Sequence, residues 1–257
     1  MSELVRVVVE QGVMTLTLNR PDKKNALNNE MYAVLGDSLA RAESDQSVRV
    51  VLLQAEGDAF TSGNDLADFA AVAAGTLKRE DMRSTAFLHG LARAQKPLVA
   101  AVQGLAVGIG VTMLLHCDMV FVSEDAKLIT PFVNLGLVPE AASSMLLPAR
   151  IGYARAFQMF ALGEPVDGRS AAAIGLANAA VPVGELRGKA QAAARALASK
   201  PIGALKATKA LVRDPGVILA TMAKEGEVFS ARLKSPEADE AFKAFAERRA
   251  PDFSKFS

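Results

Sequence analysis

Glu140 stands in a long apolar stretch, and its sequence context suits it to moving a proton. No other ionisable residue lies between Lys127 and Arg150. Apolar surroundings raise the pKa of a carboxylic acid, because burial disfavours the charged form. A glutamate whose pKa lies near neutrality suits the work of a general base. The alternative is a water-exposed glutamate in the first turn of a helix, where the helix dipole favours negative charge.

Two loops can present backbone N–H groups to a ligand oxygen. The first is Phe60–Leu66 (FTSGNDL), which follows a predicted strand and leads into a helix predicted to begin near Asp65. N–H groups at such a turn have no partner within the helix and can point at a ligand. The alternative is an ordinary connection in which Asn64 or Asp65 caps the helix.

The second loop, Gln103–Thr112 (QGLAVGIGVT), joins a predicted strand to an apolar helix. It is no dinucleotide fingerprint, because the third glycine would stand at Met113, and it lacks the lysine of a phosphate-binding P-loop. Its glycines permit close approach, so the N–H of Ile109 or Gly110 can face a developing negative charge. Tight packing of a helix on a strand would use the same glycines.

The composition excludes several other classes of protein. The 257 residues carry 29 Lys and Arg against 28 Asp and Glu, and this balance argues against a nucleic-acid binder. Cys117 is the single cysteine, which excludes an internal disulfide. His89 and His116 lack the spacing of metal ligands. We therefore expect neither a metal nor another resident cofactor.

Two features bear on location. The first twelve residues lack the long apolar run of a signal peptide, and the last three, KFS, differ from the peroxisomal SKL address, so we expect a cytoplasmic protein. The segment Pro97–Cys117 has no charged residue and is long enough to cross a bilayer. Because glycines interrupt it, we interpret it as a buried strand, a glycine loop and a buried helix.

The hydrophobic pattern predicts an α/β body to about Val183, followed by helices. Apolar strands separated by helices indicate a sheet covered on both faces. The alanine-rich segments after Val183 predict helices, since alanine is the best helix former. The predicted strands are 4–9, 13–18, 48–54, 97–102 and 119–122. The first two are predicted to form a hairpin around Gln11-Gly12. The predicted helices are 26–42, 141–147, 154–162, 168–174, 185–199, 202–213, 217–233 and 237–248.

Taken together, these segments resemble the crotonase, or enoyl-CoA hydratase/isomerase, family. The resemblance covers nearly the whole chain. The motifs that carry it are LNRPDKKNAL, AFTSGNDL, AAVQGLAVGIGVTMLLHCDMVF, TPFVNLGLVPEAASS, GEPVDGRSAAAIGLANAAV and AFAERRAPDF.

The resemblance implies a fold, a ligand and a set of site residues. The fold is α/β, a spiral of ββα units in residues 1–200, with a helical oligomerisation region in residues 201–257. The ligand is an acyl-coenzyme A thioester, whose enolate is held by the N–H groups of Asn64 and Ile109. Glycine often stands where this chain has Ile109. Four residues are implied to bind coenzyme A: Lys24, Ala26, Arg248 and Arg249.

The number and position of carboxylates in the site distinguish the hydratases of this family from its isomerases. Hydratases of this family use two glutamates, and the matching positions here hold Thr112 and Phe132. The position of Glu140 after Val138-Pro139 resembles the peroxisomal-type 3-enoyl-CoA to 2-enoyl-CoA isomerases. One base suffices to shift a double bond, because it can remove one proton and return another. The alternatives are a hydratase or other lyase that uses Glu140 with a bound water, and a non-catalytic acyl-CoA-binding member.

Apolar residues recur at helical spacing in the last two predicted helices. If the body before Val183 covers its own sheets, this stripe is left for an interface. The family resemblance then implies a homotrimer, or a hexamer built from trimers. The alternative is that these helices fold back onto their own body. The residues of the stripe are Ile218, Met222, Phe229, Ala238, Phe242 and Phe245.

Overall fold

A six-stranded sheet forms the centre of the computed structural model, which describes residues 3–65 and 82–256. Strands β1 (Val5–Glu10) and β2 (Val13–Leu18) pair antiparallel, as the predicted hairpin requires. Strands β3 (Val50–Ala55), β4 (Leu98–Val102), β6 (Met119–Ser123) and β9 (Ala179–Val181) continue the sheet in parallel.

A second, three-stranded sheet consists of β5 (Leu105–Val107), β7 (Lys127–Ile129) and β8 (Val166–Asp167). The sequence pattern did not predict it. Strands of two or three residues are too short to show the alternation that identifies a strand. The small sheet places the glycine loop of Gln103–Thr112 beside the segment that contains Asn64, since Thr61 pairs with Ala106.

Helices cover both faces of the main sheet. On one face, α1 (Asn29–Ser44) and α2 (Ser84–Arg93) share a core with β2 and β3. On the other face, α7 (Val183–Ala198) packs its Leu186 and small alanines against β2, β3, β4 and β6. The expectation that the body before Val183 covers its own sheets is therefore wrong, because α7 supplies the second face.

The other helices lie within a few residues of their predicted bounds, with one exception. The apolar helix after the glycine loop is a single turn, α3 (Ile109–Thr112), followed by a 3₁₀ turn over Met113–His116. The others are α4 (Ser143–Ile151), α5 (Tyr153–Leu162), α6 (Gly168–Ala173), α8 (Ile202–Val212), α9 (Pro215–Arg232) and α10 (Pro236–Ala246). Across residues 3–65 and 82–256, no helix combines the length and the apolar character that crossing a bilayer needs. The helix predicted to begin near Asp65 falls outside the described residues.

The last two helices fold back onto the body. Met222, Phe229 and Phe242 pack against the main core, and Ala238 is fully buried, whereas Phe245 is exposed. The apolar stripe is thus mostly covered within the chain, contrary to the expectation that it is left for an interface. The trimer and the division at residues 200 and 201 stay predictions.

Candidate active site

A cavity of about 320 Å³ brings together Asn64, Ile109 and Glu140, the three residues predicted to do the chemistry. Helix α2 contributes Leu88 to its wall, and α9 contributes Met222. The cavity therefore has a small polar end and a largely apolar wall, which is the usual character of a site for a small organic ligand.

Strand register places Asn64 beside Ile109. Thr61 pairs in parallel with Ala106, and the N–H of Val107 donates to the carbonyl of Thr61 at 3.1 Å. Three residues further along, the two segments reach Asn64 and Ile109. Gly63 permits this approach, because a Cβ at that position would lie 2.9 Å from the carbonyl oxygen of Val107. The glycine of the SGND motif thus serves to bring the two segments close together.

The N–H groups of Asn64 and Ile109 have no hydrogen-bond acceptor within the described residues. Ile109 is the first residue of α3, whose N–H has no intrahelical partner. Gly110, the alternative to Ile109, is buried against Thr61 and is not among the described residues that line the cavity. Two unpartnered donors at one cavity wall provide a binding place for a negatively charged oxygen.

Glu140 lies in the turn before α4 and is partly exposed to the cavity. The hydroxyl of Thr112 donates a hydrogen bond to its Oε1 at 2.5 Å. Burial raises the pKa of Glu140 to about 7, the bond from Thr112 opposes that rise, and the negative charge of Glu225 adds to it. The carboxyl group can therefore take up and release a proton near neutral pH.

The turn after Glu140 is strained and held from both sides. Ala141 and Ala142 both have φ near +59°, a left-handed conformation that costs a non-glycine residue about 1 kcal/mol or more. On one side, the His116 Nε2–H donates to the carbonyl of Ala141 at 2.8 Å. On the other, the carboxylate of Glu225 accepts the N–H of Ala142 at 2.6 Å and that of Ser144 at 2.9 Å.

Three contacts of this site were not predicted from the sequence: those of Thr112 and Glu225 just described, and that of Tyr32. The hydroxyl of Tyr32 on α1 donates to Oδ1 of Asn64. Each joins residues at least 28 positions apart, so no local motif indicates it. Phe132, the other position where hydratases carry glutamate, is buried against Phe160 and supplies no polar group.

None of the four residues implied to bind coenzyme A is among the described residues that line the cavity. Lys24 and Ala26 lie near its polar end, where the carbonyl of Lys24 accepts the N–H of Ser62 at 2.9 Å. Arg249 forms ion pairs within its own chain, with Glu240 at 2.5 Å and Glu247 at 2.6 Å. Arg248 is exposed.

A model of the enoyl-CoA hydratase/isomerase family matches residues 9–255 of the chain. The chain belongs to the enoyl-CoA hydratase/isomerase family. The fold of the chain agrees with this membership. The crystal structure of an enoyl-CoA hydratase/isomerase from Pseudoalteromonas atlantica superposes on it with a TM-score of 0.92 and is 41% identical in sequence, and the match covers 98% of this chain and 100% of that one. Membership of the family and the expected α/β crotonase-like fold are thereby confirmed.

Relatives within the family include both isomerases and hydratases. The 1,2-epoxyphenylacetyl-CoA isomerase of Escherichia coli is 34% identical over 99% of both chains. The human enoyl-CoA delta isomerase 2 is 33% identical over 96% of this chain and 64% of its own length. The 2,3-dehydroadipyl-CoA hydratase of Escherichia coli is 34% identical over 98% of this chain and 99% of its own. The chain is therefore an acyl-CoA enzyme of this family.

Proposed function

We propose that this enzyme moves a carbon–carbon double bond of an enoyl-CoA from the 3 to the 2 position. The main support for the proposal is that Glu140 is the one carboxylate among the described residues that line the cavity, which also holds Asn64 and Ile109 with their unpartnered N–H groups. The two positions where hydratases of the family carry glutamates hold Thr112, which supports Glu140, and Phe132, which is buried.

The reaction needs one base and one place for negative charge. The Glu140 carboxylate removes a proton from C2, and the electron pair of that C–H bond spreads over the thioester carbonyl and the C3–C4 double bond. The N–H groups of Asn64 and Ile109 stabilise the charge that develops on the thioester oxygen. The protonated Glu140 then returns its proton to C4, and the double bond forms between C2 and C3. No metal or redox cofactor takes part in this scheme.

Hydration is the second candidate, because 2,3-dehydroadipyl-CoA hydratase is as similar to this chain as the first isomerase above. In that reaction Glu140 would activate a bound water. The protein is incubated separately with a 3-enoyl-CoA and a 2-enoyl-CoA, and conjugation and hydration are followed independently. We expect conjugation of the first and no hydration of the second. Hydration alone would favour the lyase, and turnover of neither would favour a non-catalytic acyl-CoA-binding protein.

Replacing Thr112 by valine should make the site active only at higher pH. The hydroxyl of Thr112 stabilises the ionised form of Glu140, and hydrogen bonds to charged groups contribute about 1.5–3 kcal/mol. We therefore expect the acid limb of kcat/KM to move from about pH 7 toward higher pH by roughly one unit or more in Thr112→Val. Thr112→Ser keeps the hydroxyl and should retain the wild-type profile. An unmoved limb in the valine variant would show that the bond does not tune Glu140.

Gly226 should determine how long an acyl chain the cavity accepts. It stands in the interior of α9 and lines the cavity, and no heavy atom lies within 4 Å of a Cβ built there. Its φ is not in the left-handed region, so the backbone does not require glycine. Glycine in a helix interior costs about 1 kcal/mol relative to alanine, and what it provides here is space.

We expect Gly226→Leu to lower kcat/KM for a twelve-carbon 3-enoyl-CoA by about tenfold or more, and that for a six-carbon substrate by less than about threefold. The matched control is Gly188→Leu on α7, where a Cβ also has no heavy atom within 4 Å, and Gly188 is not among the described residues that line this cavity. Equal losses for both chain lengths in the Gly226 variant would contradict this role.

The coenzyme A contacts belong to the same proposal. The backbone around Lys24 and Ala26 meets the adenine, and Arg248 or Arg249 reaches the ligand phosphates of a neighbouring subunit in a homotrimer or hexamer. The exposed Arg248 suits this task better than Arg249, because the latter is already engaged with Glu240 and Glu247.

A further inference from the structure

Glu225 on α9 is a buried carboxylate that the mechanism above does not use. Its side chain is 7% exposed, and both of its oxygens accept backbone N–H groups of the turn that follows Glu140. Buried carboxylates are rare unless they are paired or hydrogen-bonded, because desolvation of the charge is costly. A role only in capping α4 would be filled equally well by a short polar residue in the turn itself.

We propose that Glu225 is a positioning residue that sets both the place and the proton affinity of Glu140 from a helix more than 80 residues away. The inference rests on the proposed function of Glu140 as the base. It gives α9 an indirect part in the chemistry, through Glu140, besides its part in lining the cavity.

The hydrogen bonds of Glu225 fix the position of the turn that follows Glu140. Ala141 and Ala142 adopt a left-handed conformation that alanine does not favour by itself. The two bonds to Glu225 fix the N–H group of Ala142, which is itself strained, and that of Ser144, two residues later. His116 fixes the carbonyl of Ala141 from the opposite side. Loss of the Glu225 bonds therefore frees one side of the turn that orients Glu140.

The charge of Glu225 affects the proton affinity of Glu140. The negative charge of Glu225 disfavours ionisation of Glu140 and raises its pKa.

Of the other titratable groups around the turn, His89 faces the cavity from α2 and His116 lies behind Ala141, and burial lowers the pKa of both imidazoles. Arg213 bonds His116 Nδ1, and Tyr32 faces the cavity from α1. Burial raises the pKa of Glu225 itself, and its bonds from Ser144 and Ala142 oppose that rise.

Two variants separate charge from position. Glu225→Gln removes the charge and keeps the size, but its amide can accept only one of the two N–H groups, so the effect of charge is read from the pH of the limb and not from kcat. Glu225→Asp keeps the charge and is one methylene too short to hold the turn. We expect Glu225→Gln to move the acid limb of kcat/KM to lower pH by roughly half a unit or more. That direction is opposite to the shift expected for Thr112→Val. Glu225→Asp should lower the kcat plateau at least about threefold with KM nearly unchanged, and leave the limb near its wild-type pH.

The matched control is Glu227→Gln, which removes a carboxylate from an exposed position on the same helix and should behave as wild type. If Glu225→Gln and Glu227→Gln share the wild-type limb, the charge of Glu225 has no effect on Glu140. A kcat plateau unchanged in Glu225→Asp would overturn the positioning role.

Melting temperatures measured as a function of pH test the effect of Glu225 on the pKa of Glu140 without any substrate. The folded-state pKa of Glu140 is raised to about 7 from 4.5, so the wild type should lose stability relative to Glu140→Gln as the pH rises from about 4.5 to 7. We expect this loss to be smaller when both proteins also carry Glu225→Gln. An equal loss would overturn the inference. Should the wild type fail to isomerise any enoyl-CoA, the proposed function would fail while the melting comparison still decides the role of Glu225.

Discussion

Glu140→Gln should lower isomerase kcat by roughly 10²–10⁴-fold, the range typical of a general acid–base group. Glutamine has nearly the same shape and can still accept the hydrogen bond from Thr112, so packing around the cavity changes little. What is lost is the proton carrier between C2 and C4. Steady-state conversion of a 3-enoyl-CoA at pH 8, where the wild-type carboxyl is ionised, measures the effect.

The same substitution should stabilise the fold above neutral pH. Ionised Glu140 is held in surroundings that raise its pKa, so its removal relieves a penalty of roughly 1–3 kcal/mol at pH 8, and little at pH 4. A Glu140→Gln protein with a higher melting temperature at pH 8 and no activity would demonstrate an exchange of stability for function. Activity within about threefold of wild type would exclude Glu140 as the base.

Ile109→Pro is expected to lower kcat by about 10²–10³-fold, equivalent to 2.7–4 kcal/mol of lost transition-state stabilisation. Proline lacks the N–H that we assign to the thioester oxygen. It is otherwise suited to this position, because Ile109 is the first residue of α3, where proline is tolerated. Gly108, which precedes it, has no Cβ to clash with the proline ring.

Ile109→Gly is the matched control, since it deletes the side chain and retains the N–H. It should be only mildly impaired in kcat, and coenzyme A affinity should persist in both variants. Circular dichroism and melting curves establish that each is folded. Equal losses of turnover in the two folded proteins would assign the effect to the isoleucine side chain rather than to its N–H.

Local sequence features predicted much of this molecule. The hairpin around Gln11-Gly12, the buried apolar strands and the C-terminal helices follow from short-range hydrophobic patterns, and the structure places them within a few residues of the predicted bounds. Glu140 was recognisable because no other ionisable residue lies near it in the chain. Asn64 and Ile109 were recognisable because glycines precede the positions where each segment turns.

Contacts between distant segments were beyond prediction from the pattern. The bond from Thr112 to Glu140 spans 28 residues, and that from Ser144 to Glu225 spans 81. Glu225 is one of two acids on α9, and only its burial sets it apart from the other, Glu227. The fate of the C-terminal stripe was open for the same reason, because periodicity shows that a face is apolar without showing what covers it.

Isotope transfer shows whether one carboxyl group carries the proton from C2 to C4. A 3-enoyl-CoA deuterated at C2 is converted by the wild-type protein in ordinary water, and the product is analysed by NMR. We predict deuterium at C4 of the 2-enoyl product, because the carboxyl group that accepts the deuteron from C2 is the one that delivers it to C4. Conversion with no deuterium at C4 would show that Glu140 does not carry the proton between the two carbons, and a product hydroxylated at C3 would show that the enzyme is a hydratase.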